Sequence, residues 1–243
     1  MVRYAPLLVL AAFWELAVQG GLVSRLALPP LGAVLGALGD LLGSGELVQN
    51  GVASVYRAAL GLAAAILVGG ALGLAMATSR ASRIVANPLV QIFYPMPKSA
   101  LIPLMLIWFG FGDMSKIVLI FLGCLLPVIV STYNGARGVE DRLIWSARSL
   151  GATPHEIVWD VRLPAALPEI LNGVRTALAF AFILMVSSEL IIARDGLGYM
   201  IGTLGDGGAY PFMFAVILTV VVLGFVADRA YGAAARRLLR WRE

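Results

Sequence analysis

Few residues in this chain could carry chemistry, and their inventory is short. One histidine, His155, and one cysteine, Cys124, occur in 243 residues. A lone histidine excludes a multi-histidine metal site or relay, and a lone cysteine excludes a disulfide framework or a cysteine metal site. No G-x-x-x-x-G-K-[ST] phosphate loop, H-E-x-x-H zinc pattern or G-x-S-x-G elbow is present. A membrane-embedded enzyme is therefore poorly supported, and work driven by ATP would need an ATP site on another chain. Two charges sit in apolar or broken surroundings: Lys98, in Tyr94-Pro95-Met96-Pro97-Lys98-Ser99, and Glu189, in Val186-Ser187-Ser188-Glu189-Leu190.

A charge at the centre of a membrane helix costs on the order of 2.5–3.5 kcal/mol on insertion scales. Two prolines two residues apart break a helix, and broken backbone at membrane depth belongs beside a cavity. On that reading Lys98 lines a translocation pathway and favours an anion, with Tyr94 and Met96 beside it. On the other, residues 81–94 form a cytoplasmic helix, the span starts near Ala100, and Lys98 snorkels to the inner interface. Glu189 needs a partner or water. A structural ion pair with Arg194 or a neighbouring span is one role, and substrate contact is the other. Ser187 and Ser188 line the pathway or pack helices. Arg194–Gly198 reads as an external turn.

The elements that hold these residues follow from composition. The chain is 60% hydrophobic and 13% charged, with a mean hydropathy of +0.90. A soluble domain is nearer 45–50% apolar and about 25% charged, so the bilayer is the better solvent. Six apolar stretches predict transmembrane helices, at about 5–23, 53–78, 88–110, 117–133, 170–192 and 212–231. Arg3 and Pro6–Ala12 outline a short signal peptide, but Glu15 interrupts the run, so an uncleaved first span is expected. Leu28–Asn50 predicts an amphipathic helix, lying on the membrane surface or packed on the protein itself. With the N-terminus inside, thirteen basic residues fall at the inner face and only Arg25, Arg57, Lys116 and Arg194 at the outer. That asymmetry places both termini in the cytoplasm. The 18 basic and 14 acidic residues are scattered between apolar runs, which argues against a nucleic-acid face.

Between the fourth and fifth spans lies the longest charged stretch, about 134–168, far longer than a simple connection needs. Glu140–Leu150 predicts a short helix that Gly151 can end in the left-handed conformation. Thr153 is placed as N-cap, Pro154 at the first helical position and Glu156 at the third, with the second helix running to about Val161. Leu163-Pro164 is expected to stop it. Such a helix–turn–helix, with Leu150, Ile157, Val158, Trp159 and Val161 as apolar anchors, is a docking element or an amphipathic loop resting on headgroups.

Ser146-Ala147-Arg148-Ser149-Leu150-Gly151-Ala152, followed by Val161-Arg162-Leu163-Pro164, resembles the EAA loop of binding-protein-dependent ABC importer permeases. Gly151, Val161, Leu163 and Pro164 fit the motif's spacing, and Ala147 fits its second alanine. Trp145 stands at the glutamate position and Ser146 at the first alanine, so the acidic contact is absent or displaced towards Glu140 or Asp141. Leu101-Ile102-Pro103-Leu104, Ile107–Gly112, Ser115-Lys116-Ile117, Glu189 with Gly196-Leu197-Gly198, and Gly224, Asp228 and Trp241 are similar to the nitrate/sulfonate/taurine-type subgroup.

The resemblance implies an all-α, polytopic membrane protein of the ABC importer type I permease kind, in which 1–243 is a single permease domain with a cytoplasmic coupling loop. It also implies a bacterial inner-membrane location. Ser146, Ala147, Arg148, Leu150, Gly151, Ala152, His155, Val161, Leu163 and Pro164 would couple to the ATPase. Two ATPase subunits would hold the ATP and Mg, with no cofactor on this chain. A second permease copy, an extracytoplasmic solute-binding protein and membrane lipid complete the expected partners. The solute would be a small organic or inorganic anion such as a sulfonate, taurine or nitrate. The competing class, an ion-coupled secondary transporter, usually shows internal repeats and several membrane acids. No convincing repeat is found here, and only Glu189 qualifies.

Overall fold

Of the six apolar stretches expected to span, four fold as single helices long enough to cross a membrane, one is broken in two, and the first is a shorter helix. The computed structural model describes residues 5–242, with no strand among them; Arg3, counted above with the inner-face cations, lies outside the described residues. α3 (Glu46–Thr78), α6 (Asp113–Arg137), α9 (Leu163–Ile192) and α11 (Tyr210–Leu238) are long and apolar enough to cross a membrane. Crossing takes about 20 helical residues at about 1.5 Å each. α1 (Ala5–Gln19) has 15 residues and α2 (Leu31–Gly43) has 13.

The third stretch, expected as one span over 88–110, is not one helix. α4 (Arg80–Phe93) ends before Pro95 and Pro97, and the chain resumes as a 3-10 turn (Lys98–Leu101) and α5 (Ile102–Phe109). The two arms are bent by 92°. Each proline removes a backbone donor and clashes with the preceding turn, and two of them two residues apart break the helix here.

The chain divides into two compact units. One comprises the residues up to 55 together with 189–223. It holds α1, α2, the opening of α3, the end of α9, α10 (Leu197–Asp206) and the first half of α11. Of the two settings for Leu28–Asn50, the structure adopts the packed one: Val34, Ala37 and Leu41 of α2 share an apolar core with Leu197, Met200 and Val216. That stretch is also two elements, because Gly45 at φ +80° separates α2 from α3. α1 is tied to α2 by the Trp14 indole N–H, which donates to the Pro29 carbonyl at 2.9 Å. Beside it, the Glu15 carboxylate accepts the N–H of Leu31, the first residue of α2, at 3.0 Å. The acid that interrupts the first apolar run thus satisfies a donor at another helix's N-terminus.

The other unit comprises 56–188 and 224–243, with α6 threading its core. Gly61 and Gly73 of α3 face α6 so closely that an added Cβ would stand 2.7 Å from Ile120 and from the Ile129 carbonyl, respectively. α9 meets a second stripe of α6, with Gly123 against Leu184 and Gly173 against Ser131. There the buried Cys124 thiol donates to the Ala177 carbonyl at 3.1 Å. Small residues let the backbones approach where lipid gives no hydrophobic push between helices.

Candidate functional site

The charged loop builds a compact helix pair from local signals. α7 (Asp141–Ser149) precedes Gly151, whose φ of +89° is the left-handed turn that glycine adopts without strain. Thr153 and Glu156 form a reciprocal capping box over α8 (Pro154–Glu156): the Glu156 N–H donates to the Thr153 hydroxyl at 3.3 Å, and the Thr153 N–H to the Glu156 carboxylate at 2.7 Å.

The expected stop at Leu163-Pro164 does not occur. The chain passes from α8 through a π-helical turn (Ile157–Arg162) directly into α9, a continuous run of 39 residues from Pro154 to Ile192. In that wider turn the Leu163 N–H donates to the Val158 carbonyl five residues back. A proline ring clashes with the carbonyl four residues back in an α-helix, and the extra residue of a π turn makes room for it.

Ile144 of α7, Ile157 and Val139 form the loop's own small core. Ile157 is therefore an internal support at 4% exposure, not the outward anchor expected of it. Leu150 projects outward at 86% exposure, and Trp145 and Trp159 are exposed with it. Val158, Val161, Leu163 and Pro164 are half-buried, as are Ala147 and Ala152, while Ser146, Arg148 and His155 face out. The His155 ring lies 6.0 Å from that of Trp159.

Of the residues assigned to a pathway, the structure brings four together. Tyr94, Met96, Lys98 and Ser187 line one cavity of about 340 Å³, with Phe180 and Leu184 opposite the bend. Lys98 donates to the carbonyls of Phe93, Tyr94 and Met96 at 2.6, 3.2 and 2.6 Å. Met96 and Lys98 also border an almost wholly apolar groove of about 450 Å³ that reaches Leu72 and Trp108. Ser188 and Glu189 lie elsewhere. Ser188 is buried and donates to the Met185 carbonyl at 3.0 Å. Glu189, 1% exposed, accepts from the Ser54 hydroxyl at 2.6 Å and from the Gly198 N–H at 3.0 Å.

Residues 61–240 match the family described as binding-protein-dependent transport system inner membrane component. This chain belongs to that family. It is a transport component and not an enzyme, and as a member it is a multi-pass inner-membrane permease of the ABC importer kind. It is 38% identical to the taurine transport system permease protein TauC of Escherichia coli (strain K12), over 97% of this chain and 87% of that one. It is 36% identical to the aliphatic sulfonates transport permease protein SsuC of Bacillus subtilis (strain 168), over 96% and 85%. These relatives agree with the resemblance to the nitrate/sulfonate/taurine-type subgroup. A chain of the MetNI methionine ABC transporter, solved in an inward-facing conformation, superposes with a TM-score of 0.66 at 24% identity, over 79% of this chain and 96% of that one. The likeness there is one of fold.

Several polar residues of this permease were not legible as partners. Arg57, expected at the outer face, is buried to 3% exposure and ion-pairs with Asp113 at 2.6 Å. Lys116, also placed at the outer face, is buried and donates to the carbonyls of Phe111 and Gly112 beyond the end of α5. Arg175 and Asp228 form a two-pronged ion pair at 2.7 and 2.9 Å that links α9 to α11. Only the short reach from Lys116 to residues 111 and 112 had a local signal, a lysine following a glycine-rich helix end.

Proposed function

We propose that this chain moves a small organic or inorganic anion, of the sulfonate, taurine or nitrate kind, across the bacterial inner membrane by alternating access. Two ATPase subunits, which carry the ATP and Mg, drive it. A second copy of the chain completes a symmetric permease, and an extracytoplasmic binding protein delivers the solute. Both termini lie in the cytoplasm, as the arginine asymmetry favours. Ser146, Ala147, Arg148, Leu150, Gly151, Ala152, His155, Val161, Leu163 and Pro164 couple to the ATPase, and Tyr94, Met96, Lys98 and Ser187 line the pathway.

The observation that carries this reading is mechanical. The exposed knob around Leu150 sits on a capped, self-packed helix pair that runs without a break into α9. A push on such a knob is delivered to a membrane helix as rigid motion, because a continuous helix and a packed core do not deform gradually. The relatives named for taurine and aliphatic sulfonates support the substrate class.

The test is uptake of a radiolabelled sulfonate in proteoliposomes containing this chain with and without its ATPase partner. Uptake should require both the partner and ATP. Gly151→Val should uncouple hydrolysis from transport, since a β-branched residue is strained by about 1–2 kcal/mol or more in the left-handed conformation. Normal uptake with no ATPase present would reject the reading in favour of an ion-coupled carrier.

A further inference from the structure

We propose that Glu189 is a positioning residue that caps α10 from outside that helix, and that it neither binds the transported solute nor carries a coupling proton. The first N–H groups of a helix have no partner within it. At α10 three consecutive ones are taken up by side chains from α3 and α9. The Gly196 N–H donates to the Asn50 side-chain oxygen at 2.6 Å, the Leu197 N–H to the Ser54 hydroxyl at 2.8 Å, and the Gly198 N–H to Glu189 Oε2 at 3.0 Å. Asn50 and Ser54 are four residues apart on α3 and so share a face.

The Ser54 hydroxyl fixes the direction of this chain of bonds. It accepts from Leu197, so its single proton is free to point at Glu189 Oε2, 2.6 Å away. Two donors therefore converge on one carboxylate oxygen, and that oxygen lies at the positive end of a helix dipole. Gly196 makes the approach possible. Its φ is +106°, and a Cβ there would stand 2.5 Å from the Glu189 carboxyl carbon. The capped helix sends Leu197 and Met200 into the apolar core that also holds Val34, Ala37 and Leu41 of α2. At 1% exposure, with Ser54 at 0%, the carboxylate has no open face for a solute.

The two bonds to Oε2 use an acceptor oxygen. A glutamine keeps that oxygen and cannot titrate, whereas an alanine removes it. Glu189→Gln should therefore retain at least about half of the uptake rate in the ATPase complex. Glu189→Ala should reduce maximal uptake about tenfold or more, the scale of a lost buried bond to a charged group, with the KM for solute unchanged. Hydrogen exchange at the amides of Leu197 and Gly198 reads the cap directly. Protection should persist in Glu189→Gln and fall about tenfold or more in Glu189→Ala.

If Glu189→Ala does not assemble, Ser54→Ala removes the acceptor of the Leu197 N–H and one of the two donors to Glu189 Oε2, and should expose the Leu197 amide by a comparable factor and the Gly198 amide by less. Loss of uptake in Glu189→Gln with those amides still protected would overturn the proposal, and so would Ser54→Ala with unchanged protection. The uptake arm rests on the transport reading above. The exchange arm does not, so failure of one is distinguishable from failure of the other.

Discussion

The ammonium of Lys98 donates to the carbonyl of Phe93, the last residue of α4, at 2.6 Å. With Tyr94 and Met96 also accepting, three donors meet three carbonyls at the point where the chain turns by 92°. A cation at a helix C-terminus also opposes the negative end of the dipole. Lys98 therefore holds the bend closed while it lines the cavity. Removing it should reshape the cavity before it changes any contact with an anion.

Lys98→Met keeps the length of the side chain and deletes the donors. Hydrogen bonds to charged groups contribute about 1.5–3 kcal/mol each in favourable settings, shared here among three acceptors. The melting temperature in detergent should fall by several degrees, on the usual scale of about 2–4 °C per kcal/mol for chains of this size. Lys98→Arg, which keeps the charge, should recover part of that loss. An unchanged melt for Lys98→Met, together with a raised KM for the anion, would show that Lys98 serves the solute and not the bend.

Gly73 and Gly70 stand three residues apart on α3 and make opposite predictions. A Cβ at Gly73 would meet the Ile129 carbonyl and Thr132 at 2.7 Å, while one at Gly70 meets nothing within 4 Å. Gly73→Val should destabilise the permease by about 1–3 kcal/mol, as overpacking does, and Gly70→Ala should leave it unchanged or slightly stabilised. Denaturation of the two variants in the same detergent checks the pair. Equal effects would mean that α3 does not cross α6 at this stripe.

Two apolar residues of the lever separate docking from support. Leu150 is 86% exposed and Ile157 is 4% exposed. Leu150→Ser should leave the melting temperature alone and release the ATPase on co-purification. Ile157→Ser should lower the melting temperature, because it buries a hydroxyl in the core shared with Ile144 and Val139. If Leu150→Ser still co-purifies with full ATPase stoichiometry, the knob lies elsewhere on the loop.

The parts of this structure that could be read in the sequence are those whose physics is local. Thr153 and Glu156 are three residues apart, and Gly151 needs only its own backbone to turn, so the capped lever was visible before any tertiary contact was known. Long apolar runs likewise need only the bilayer to become α3, α6, α9 and α11. Ser54 and Glu189 are 135 residues apart, and nothing near either names the other. Lys98 was ambiguous for a different reason. Its partners are backbone carbonyls freed by Pro95 and Pro97, and these exist only once the break has formed. The setting of α2 was equally hidden, because one apolar stripe suits a membrane surface and a protein core alike.

The Leu163-Pro164 pair does not end the helix. An α-helix cannot carry a proline in its interior without losing one bond and straining against the preceding turn. Here the π turn over Ile157–Arg162 absorbs the misfit, so α8 and α9 stay continuous while the register between them shifts by one residue. One residue of an α-helix is about 100° of rotation. Pro164→Ala restores the missing N–H and removes the clash that favours the wide turn. The turn should then relax towards α-helix, rotating the capped end and the α7 core that packs on Ile157 relative to α9. Stability should hold or rise slightly. Transport should fall because the knob at Leu150 is re-aimed, so ATP hydrolysis should continue with less uptake per ATP. The ratio of solute moved to phosphate released in proteoliposomes measures this directly, and an unchanged ratio would mean that the π turn has no part in aiming the lever.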